Sequence, residues 1–297
     1  MHELLVFGNG WLGQRISEYF NCPVSNVRII TYEDIQKEID VNHPQVIINC
    51  VGHYGKNVDG CEADKTKSLT SNVLVPILLA EAAVRNHVKL VHISTGLIYE
   101  YDYKRNMPIE ETEGPNFFDL FYSRTKIYTE AALSSIKSSG NILQLRILLP
   151  LDFKPHPRNL LDKLIGFKNV IDIPNSITYI PDFLDAMKYL IKNDAEGIYN
   201  VVNYGGLRFR TLLEEYRKYV PTHNYAITEP RELKLIRTNL ILSTDKLEES
   251  GFPVRDINDV IPECVEKYIN LLRTNAGQNK QTQEQEPRII PDGTAKV

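Results

Sequence analysis

Long hydrophobic runs are missing from this chain of 297 residues. No stretch approaches the roughly 20 apolar residues that a membrane-spanning helix needs. An excess of positive charge is also missing, because the formal net charge is −4 and no block of basic residues stands out. The composition therefore argues against a membrane protein and against a protein that holds nucleic acid through phosphate contacts.

Cysteine is infrequent as well, and its spacing suggests neither a metal site nor a disulfide framework. The chain has four cysteines: Cys22, Cys50, Cys61 and Cys264. A reducing cytoplasm is the simplest compartment for such a protein. The first apolar run, at residues 4–7, leads straight into glycines, which is not the pattern of a signal peptide.

Short apolar runs alternate with helical patterns through the first half of the chain. We predict strands at 3–7, 27–32, 45–51, 88–94 and 142–148, with helices between them. Strands that are apolar on both faces belong to sheets covered by helices on both sides. The fold class is therefore α/β, with a Rossmann-type, doubly wound parallel sheet.

The pattern becomes less regular after Pro150. Residues 1–150 are predicted to form an NAD(P)-binding domain, and 151–273 mainly a smaller substrate-binding region from which some segments return to the first domain. From residue 274 to 297 the chain is dominated by Asn, Gln, Glu, Lys, Pro and Gly. Such a segment buries too little apolar surface to offset chain entropy, so we predict a disordered tail.

A glycine-rich loop follows the first predicted strand and opens the first helix. In such a loop the three glycines allow a tight turn, a close approach of a pyrophosphate and tight helix–strand packing. Glu33 or Asp34 would hold the ribose hydroxyl of NAD, whereas Arg28 or Arg15 would meet the 2′-phosphate of NADP. The predicted cofactor-binding residues of the loop are Gly8, Asn9, Gly10, Trp11, Leu12 and Gly13.

A tyrosine and a lysine four residues apart, Tyr122 and Lys126, fall on one face of a predicted helix. A neighbouring lysine favours the phenolate and lowers the pKa of the phenol, which can then pass a proton to a carbonyl oxygen as hydride arrives at carbon. The pair lies beyond a strand that ends in hydroxyl residues, at the ligand-binding edge of such sheets. There Thr95, or alternatively Ser94, can donate a hydrogen bond to the same oxygen.

These motifs resemble the extended short-chain dehydrogenase/reductase family. Longer segments are similar to plant nucleotide-rhamnose synthase epimerase/reductases and, more distantly, to dTDP-4-dehydrorhamnose reductases: TGLIYEYD at 95–102, FYSRTK at 121–126, PRN at 157–159, IPNSIT at 173–178 and GIYN at 197–200. The resemblance implies a Thr95–Tyr122–Lys126 triad, with Tyr122 and Lys126 also touching the cofactor. It implies NADPH as the favoured hydride donor, with NADH as the alternative, and no metal. The substrate would be a 4-keto-6-deoxyhexose linked to UDP or dTDP.

One position departs from the family pattern. The family's epimerase cysteine is matched by Leu97, which cannot exchange protons, whereas the family's epimerase lysine is matched by Lys163. Our hypothesis is a 4-ketoreductase whose epimerase activity is absent, partial or carried by His53, Tyr99 or Cys61. The alternatives are a bifunctional 3,5- or 3-epimerase/4-reductase, including one for an acetamido sugar, and a non-catalytic sugar-nucleotide-binding subunit.

The resemblance also assigns residues to the two ligands. Asn49 would pack near the adenosine half of the cofactor, and Asn72 would shape the active site, although either can instead be a purely structural linker. A homodimer is the assembly we consider, with neither nucleic acid nor membrane as a partner. The substrate-binding candidates are Asn159, Asn175, Arg237 and Asn239.

Overall fold

The computed structural model describes residues 3–55, 59–104, 106–136, 140–229, 232 and 238–285. Its strands form a main sheet of six and a separate pair. The main sheet contains β1 (Leu4–Phe7), β2 (Val24–Ser25), β3 (Val46–Asn49), β4 (Lys89–Thr95), β5 (Ile142–Ile147) and β7 (Gly197–Asn200), and the pair is β6 (Asn169–Val170) with β8 (Ala226–Ile227).

The order of strands in the main sheet is β2-β1-β3-β4-β5-β7, and every neighbouring pair is parallel. Every residue of β1, β3, β4 and β5 is buried, because helices cover both faces. The order reverses between β1 and β3, so the ligand crevice lies beyond the carboxyl ends of these two strands. The prediction of a Rossmann-type, doubly wound sheet is confirmed.

Helices flank the sheet and build the second region. They are α1 (Trp11–Phe20), α2 (Tyr32–Asn42), α3 (Gly60–Ala63), α4 (Lys65–Leu69), a π-helical turn (Thr70–Leu74), α5 (Val75–Asn86), α6 (Phe121–Ser135), α7 (Leu160–Ile165), α8 (Ile180–Lys192), α9 (Phe209–Arg217), α10 (Asp245–Glu249) and α11 (Ile257–Gln285).

One continuous helical stretch, Lys65–Asn86, is long and apolar enough to cross a membrane by length and composition alone. Its α5 portion packs into the hydrophobic core beside β1 and β3, where Leu79, Ala80 and Ala82 are fully buried. Burial against the sheet accounts for these α5 residues, whereas 44% of the apolar window of the whole stretch is buried.

Two of the hydrophobic clusters correspond to the two parts of the chain. One lies between the sheet, α1 and α8, and includes Ile16, Phe183 and Met187. Another joins α7, α9 and α11 through residues such as Leu161 and Leu212. Although α8 and β7 follow residue 151, α8 packs against the main sheet and β7 pairs with β5 inside it.

The structure differs from two of the predicted elements. Residues 27–32 are not a strand: β2 ends at Ser25, and α2 begins at Tyr32 because Thr31 and Asp34 form a capping box. Helix α11 continues to Gln285, so the predicted disordered tail is wrong over 274–285. A helix that is already nucleated adds good helix formers such as Gln, Glu and Lys at little cost. Residues 286–297 lie outside the described part of the chain.

Candidate active site

The glycine loop forms a cradle at the carboxyl end of β1. A Cβ atom on Gly8, whose φ is 107°, would lie 2.6 Å from the carbonyl carbon of Cys50, and one on Gly13 would lie 2.0 Å from the oxygen of Gly8. A Cβ on Gly10 would meet no protein atom within 4 Å. Two glycines are therefore needed for packing, while the third faces open space beside the N-terminus of α1, where amides bind phosphate.

The other loop residues fix the loop through their side chains. Asn9 Nδ2 donates to Asn26 Oδ1 over 2.7 Å. The Trp11 ring stacks on His156, with ring centres 5.1 Å apart and planes 4° from parallel. Leu12 packs against the main core. The backbone of the loop is thereby held in place for a dinucleotide, and the structure fits the predicted cofactor.

The residues predicted to distinguish NAD from NADP lie in different environments in the structure. Asp34 accepts from the backbone N–H groups of Ile30 and Thr31, so it caps α2. Arg15 is buried in an ion pair with Asp152, at 2.6 Å. Arg28, in contrast, is exposed just beyond β2 and forms no hydrogen bond or ion pair with any residue that the structure describes.

The three triad residues come together at the carboxyl end of β4. Thr95 and Lys126 are buried, and the Thr95 hydroxyl lies close enough to the Tyr122 phenol to lower the pKa of that phenol. Lys126 Nζ donates to the carbonyl oxygen of Ile93, two residues before Thr95, over 3.4 Å. The strand end thus positions both the phenol and the ammonium group.

The pKa values in the triad are set mainly by burial. Burial raises the pKa of Tyr122, and the influence of the Thr95 hydroxyl offsets this only in part. The expectation that the pKa of this phenol is lowered is wrong for this structure, because desolvation of the charged form dominates. Burial lowers the pKa of Lys126 to about 8, against the opposing influence of Cys50, Cys61 and Glu130.

Helix α6, which carries Tyr122 and Lys126, is anchored at its first turn. The Glu62 carboxylate accepts from the N–H of Phe121 over 2.7 Å, which satisfies an unpaired amide at the helix start. Ser123 Oγ donates to the carbonyl oxygen of Leu97 over 2.5 Å. These bonds tie the catalytic helix to α3 on one side and to the end of β4 on the other.

Asn49 and Asn72 both have structural partners. Asn49 is fully buried, lies 3.0 Å from His92 Nδ1 through its Nδ2, and accepts from the N–H of Val51. Asn72 lies in the π-helical turn and exchanges two hydrogen bonds with the backbone of His53, at 2.6 and 2.9 Å. Both act as side chain–backbone linkers that shape the loop after β3, and contact of Asn49 with the cofactor stays a prediction.

An ion pair beneath the triad was missed by the sequence analysis. Glu130, one helical turn after Lys126, accepts from Arg146 Nε at 2.9 Å and from Ser94 Oγ at 3.3 Å. Both charged residues are buried. The spacing of four residues between Lys126 and Glu130 was the available signal. Ser94 is thus turned toward Glu130, which leaves Thr95 as the hydroxyl beside Tyr122.

Two further residues at the site were also missed. Tyr54 lies edge-on to Tyr122, with ring centres 6.4 Å apart, and the Arg158 guanidinium lies 4.7 Å from the centre of the Tyr54 ring. Burial, together with the charge of Arg158, lowers the pKa of Lys163. The loop after β3 and the segment that leads into α7 therefore meet beside Tyr122.

The residues considered as replacements for the family cysteine are placed differently. Tyr99 is buried and donates to the carbonyl oxygen of Glu113 over 2.8 Å. Cys61 is fully buried and its thiol donates to the carbonyl oxygen of His53. Burial raises the pKa of the Cys61 thiol. Tyr99 and Cys61 therefore serve packing and loop structure in this arrangement.

The four predicted substrate-binding residues differ in where the structure places them. Asn175 Nδ2 donates to Asn239 Oδ1 over 2.8 Å, so these two residues are brought together. Asn159 is fully buried, caps α7 and bonds to the backbone of Asp152, which gives it a role in holding the loop. Arg237 lies outside the described residues. Substrate contact by any of the four stays a prediction.

Comparison with protein families gives a match over residues 3–166 to the RmlD substrate binding domain. The chain belongs to the RmlD substrate binding domain family. The match contains both the glycine loop and the Thr95–Tyr122–Lys126 triad, and the resemblance to short-chain reductases of nucleotide sugars is confirmed.

Among relatives of this RmlD-family chain, a bifunctional dTDP-4-dehydrorhamnose 3,5-epimerase/dTDP-4-dehydrorhamnose reductase of Arabidopsis thaliana is 29% identical over 270 residues, which cover 84% of this chain and 88% of the relative. A trifunctional UDP-glucose 4,6-dehydratase/UDP-4-keto-6-deoxy-D-glucose 3,5-epimerase/UDP-4-keto-L-rhamnose-reductase of the same plant is 28% identical over 299 residues. This chain spans only 42% of the length of that longer protein.

A solved structure of similar fold is the L780 UDP-rhamnose synthase from Acanthamoeba polyphaga mimivirus. It matches with a TM-score of 0.82 and 26% sequence identity, over 90% of this chain and 99% of the viral one. The likeness therefore extends through the second region of the RmlD-family chain and is not confined to the sheet and glycine loop.

Proposed function

We propose that this protein is an NADPH-dependent reductase of the 4-keto group of a nucleotide-linked 4-keto-6-deoxyhexose, with a UDP or dTDP sugar as substrate. The observation that carries the proposal is the assembly of Thr95, Tyr122 and Lys126 at the carboxyl end of β4, beside the glycine cradle. The substrate class is supported by the names of the relatives. A non-catalytic binding subunit would have no need of a buried lysine one helical turn from a half-buried phenol.

The glycine loop would hold the pyrophosphate of the dinucleotide, with Gly10 giving the backbone access and the first amides of α1 facing the negative charge. The bound nicotinamide would supply hydride to the sugar carbonyl carbon. Trp11 and His156, stacked across the loop, join the cofactor cradle to the second region.

The protein's own part in the reduction is to bind the carbonyl oxygen and to deliver a proton to it. Thr95 donates a hydrogen bond to this oxygen, and Tyr122, whose raised pKa keeps it protonated, gives up its phenolic proton. Lys126 holds a positive charge beneath the site and stabilises the phenolate that results. Glu130 and Arg146 fix the surroundings of that lysine through their buried ion pair.

Selection of NADPH over NADH is assigned to Arg28. Burial alternates after β2, so that Asn26 and Arg28 are exposed while Val27 and Ile29 are more buried. The Asn26 side chain bonds to Asn9 of the glycine loop, and Arg28 is exposed two residues further along the chain. A guanidinium there suits the 2′-phosphate of NADPH, whereas Asp34 is engaged in capping α2.

Other side chains support proposals for the compartment and the assembly of the protein. All four cysteines are free, which supports a reducing cytoplasm. Leu69, Leu74 and Ile77 on the α4–α5 stretch and Tyr128 on α6 are apolar or aromatic side chains left exposed. Such a patch supports a homodimer in which these helices are covered by a second copy.

Oxidation of NADPH and NADH, with UDP- and dTDP-4-keto-6-deoxyglucose as substrates, tests the proposal. We expect oxidation that Tyr122→Phe reduces by about 100-fold or more, because general acid catalysis contributes about 10²–10⁴-fold. Binding of NADPH by the variant, followed by fluorescence, should stay close to that of the wild type. Tight cofactor binding without oxidation of NADPH or NADH in the presence of either sugar would refute the substrate assignment.

A further inference from the structure

The segment between β5 and α7 runs alongside helix α1. Every second residue from 152 to 156 contacts a side chain of that helix: the pairs are Asp152 with Arg15, Lys154 with Glu18, and His156 with Trp11. The last of these contacts is a stack, with ring centres 5.1 Å apart and planes 4° from parallel. Since Trp11 is the first residue of α1, the imidazole of His156 lies at the N-terminus of this helix.

The backbone of His156 is fixed on both sides. Pro155 and Pro157 flank it, and a residue that precedes a proline is largely confined to extended conformations. Its N–H donates to Asp162 Oδ2 over 3.2 Å, and its carbonyl oxygen accepts from the N–H of Asn159 over 2.9 Å. The second of these bonds closes a turn in which proline takes its preferred place. The ring is therefore held beside α1 by its own backbone.

Hydrogen bonding determines which nitrogen of this imidazole carries the proton. The N–H of Arg158 donates to His156 Nδ1 over 3.1 Å, so Nδ1 is an acceptor. Burial, followed by the charge of Arg158, lowers the pKa of His156, which favours the neutral ring. In a neutral imidazole the other nitrogen is the donor. The resulting Nε2–H group has no hydrogen-bond partner among the residues that the structure describes.

This donor belongs to the ring that covers the residue next to Gly10. A Cβ atom on Gly10 would meet no protein atom within 4 Å, so the space beside it is open. In a loop of this type the pyrophosphate of a dinucleotide approaches the backbone at the second glycine. A hydrogen bond from an N–H group to an anionic oxygen is charge-assisted and is stronger than a bond between two neutral groups.

We propose that His156 is a cofactor-binding residue whose Nε2–H group donates a hydrogen bond to the diphosphate of the dinucleotide. The proposal rests on the NADPH dependence of the proposed function. The glycine loop and the first amides of α1 hold the diphosphate from one side, and His156 holds it from the side of the second region. The second region thus contacts the cofactor directly.

Two substitutions separate the roles of the two ring nitrogens. In His156→Asn the side-chain oxygen replaces Nδ1 as the acceptor for the N–H of Arg158, but no atom reaches the position of Nε2. In His156→Gln the longer side chain brings an amide N–H group close to that position. We expect the Kd for NADPH to rise about tenfold to a hundredfold in His156→Asn and to stay within about fivefold of the wild type in His156→Gln.

The chain carries its own fluorescent probe of this contact. Trp11 is the only tryptophan in the sequence, so energy transfer from its indole to the reduced nicotinamide of NADPH reports binding at the cradle. Circular dichroism of the unliganded variants should match that of the wild type, because both substitutions lie in a loop. His87→Asn, at an exposed histidine that ends α5, should leave the Kd for NADPH unchanged.

Isothermal titration with 2′-phospho-ADP-ribose, which has the diphosphate but no nicotinamide, locates the contact. We expect His156→Asn to lose affinity for this ligand by the same factor as for NADPH. A loss with NADPH alone would overturn the inference, because the contact would then be to the nicotinamide. An unchanged Kd in His156→Asn, or an equal rise in both variants, would overturn it as well, and the proposed function would stand. A wild type that binds neither NADPH nor NADH would overturn both.

Discussion

Arg15 Nε donates to Asp152 Oδ2 over 2.6 Å, and this contact joins α1 to the loop that follows β5. Asp152 is in turn bonded through its backbone to the side chain of Asn159 at the start of α7. The helix that opens on the glycine cradle is thereby tied to the segment that carries Arg158 and Lys163. One buried ion pair therefore links the part of the protein predicted to bind the cofactor to the part predicted to bind the substrate.

Removal of one partner from this ion pair should destabilise the protein. Asp152→Ala leaves the guanidinium of Arg15 buried without its main counter-charge, and we expect the free energy of unfolding to fall by about 3–5 kcal/mol. Urea denaturation followed by circular dichroism measures the change. Glu18→Gln, which removes the exposed partner of the same arginine, should cost less than about 1 kcal/mol. Equal losses in the two variants would contradict the role given to Asp152.

Substitution by alanine should have different effects at two glycines of the cradle, on stability at one and on cofactor binding at the other. Gly13→Ala places a methyl group 2.0 Å from the oxygen of Gly8, so stability should fall by about 1–3 kcal/mol. Gly10→Ala meets no protein atom, so thermal stability should stay unchanged while the Kd for NADPH rises. Differential scanning fluorimetry with and without NADPH separates the two effects, and a normal Kd in Gly10→Ala would argue against a pyrophosphate at this point.

Arg28→Ala should reduce the preference for NADPH. Loss of one charged hydrogen bond predicts a Kd for NADPH about tenfold to a hundredfold higher, with the Kd for NADH little changed. Isothermal titration with 2′,5′-ADP tests the phosphate contact directly. Lys37→Ala, at an exposed lysine on α2, controls for a general effect of charge. If both variants weaken NADPH binding equally, Arg28 has no specific contact with the 2′-phosphate.

The pH dependence of the reduction should reflect Lys126. Its pKa is lowered to about 8, so the ammonium form is lost as the pH rises through this value. Since the charged form stabilises the Tyr122 phenolate, kcat/KM should decline above about pH 8. Lys126→Arg keeps its charge over this interval, so its lower activity should not decline there. A decline that persists in the variant would assign the titration to another group.

The pattern of the chain was sufficient for the type of fold and for the placement of Tyr122 and Lys126 on one helix. Apolar strands such as β3 and β4 are buried at every residue, and a strand followed by Gly8, Gly10 and Gly13 has few uses other than a tight turn at a helix start. The spacing of Tyr122 and Lys126 fixes their shared helix face, because that property depends only on the helical repeat. These features are local or periodic, and local physics determines them.

Only the tertiary structure decided which polar residues have partners. Arg15 and Arg28 are equally basic in the sequence. In the structure, Arg15 is buried in an ion pair with Asp152, which is 137 positions away, whereas Arg28 is exposed just beyond β2. Tyr54 carried no recognisable motif, and the family-like segment at 157–159 did not show what Arg158 contacts, since their meeting beside Tyr122 depends on how the loop after β3 packs against the segment before α7. Even the pKa of Tyr122 depends more on burial than on its neighbours in sequence, because desolvation is set by everything that packs around it.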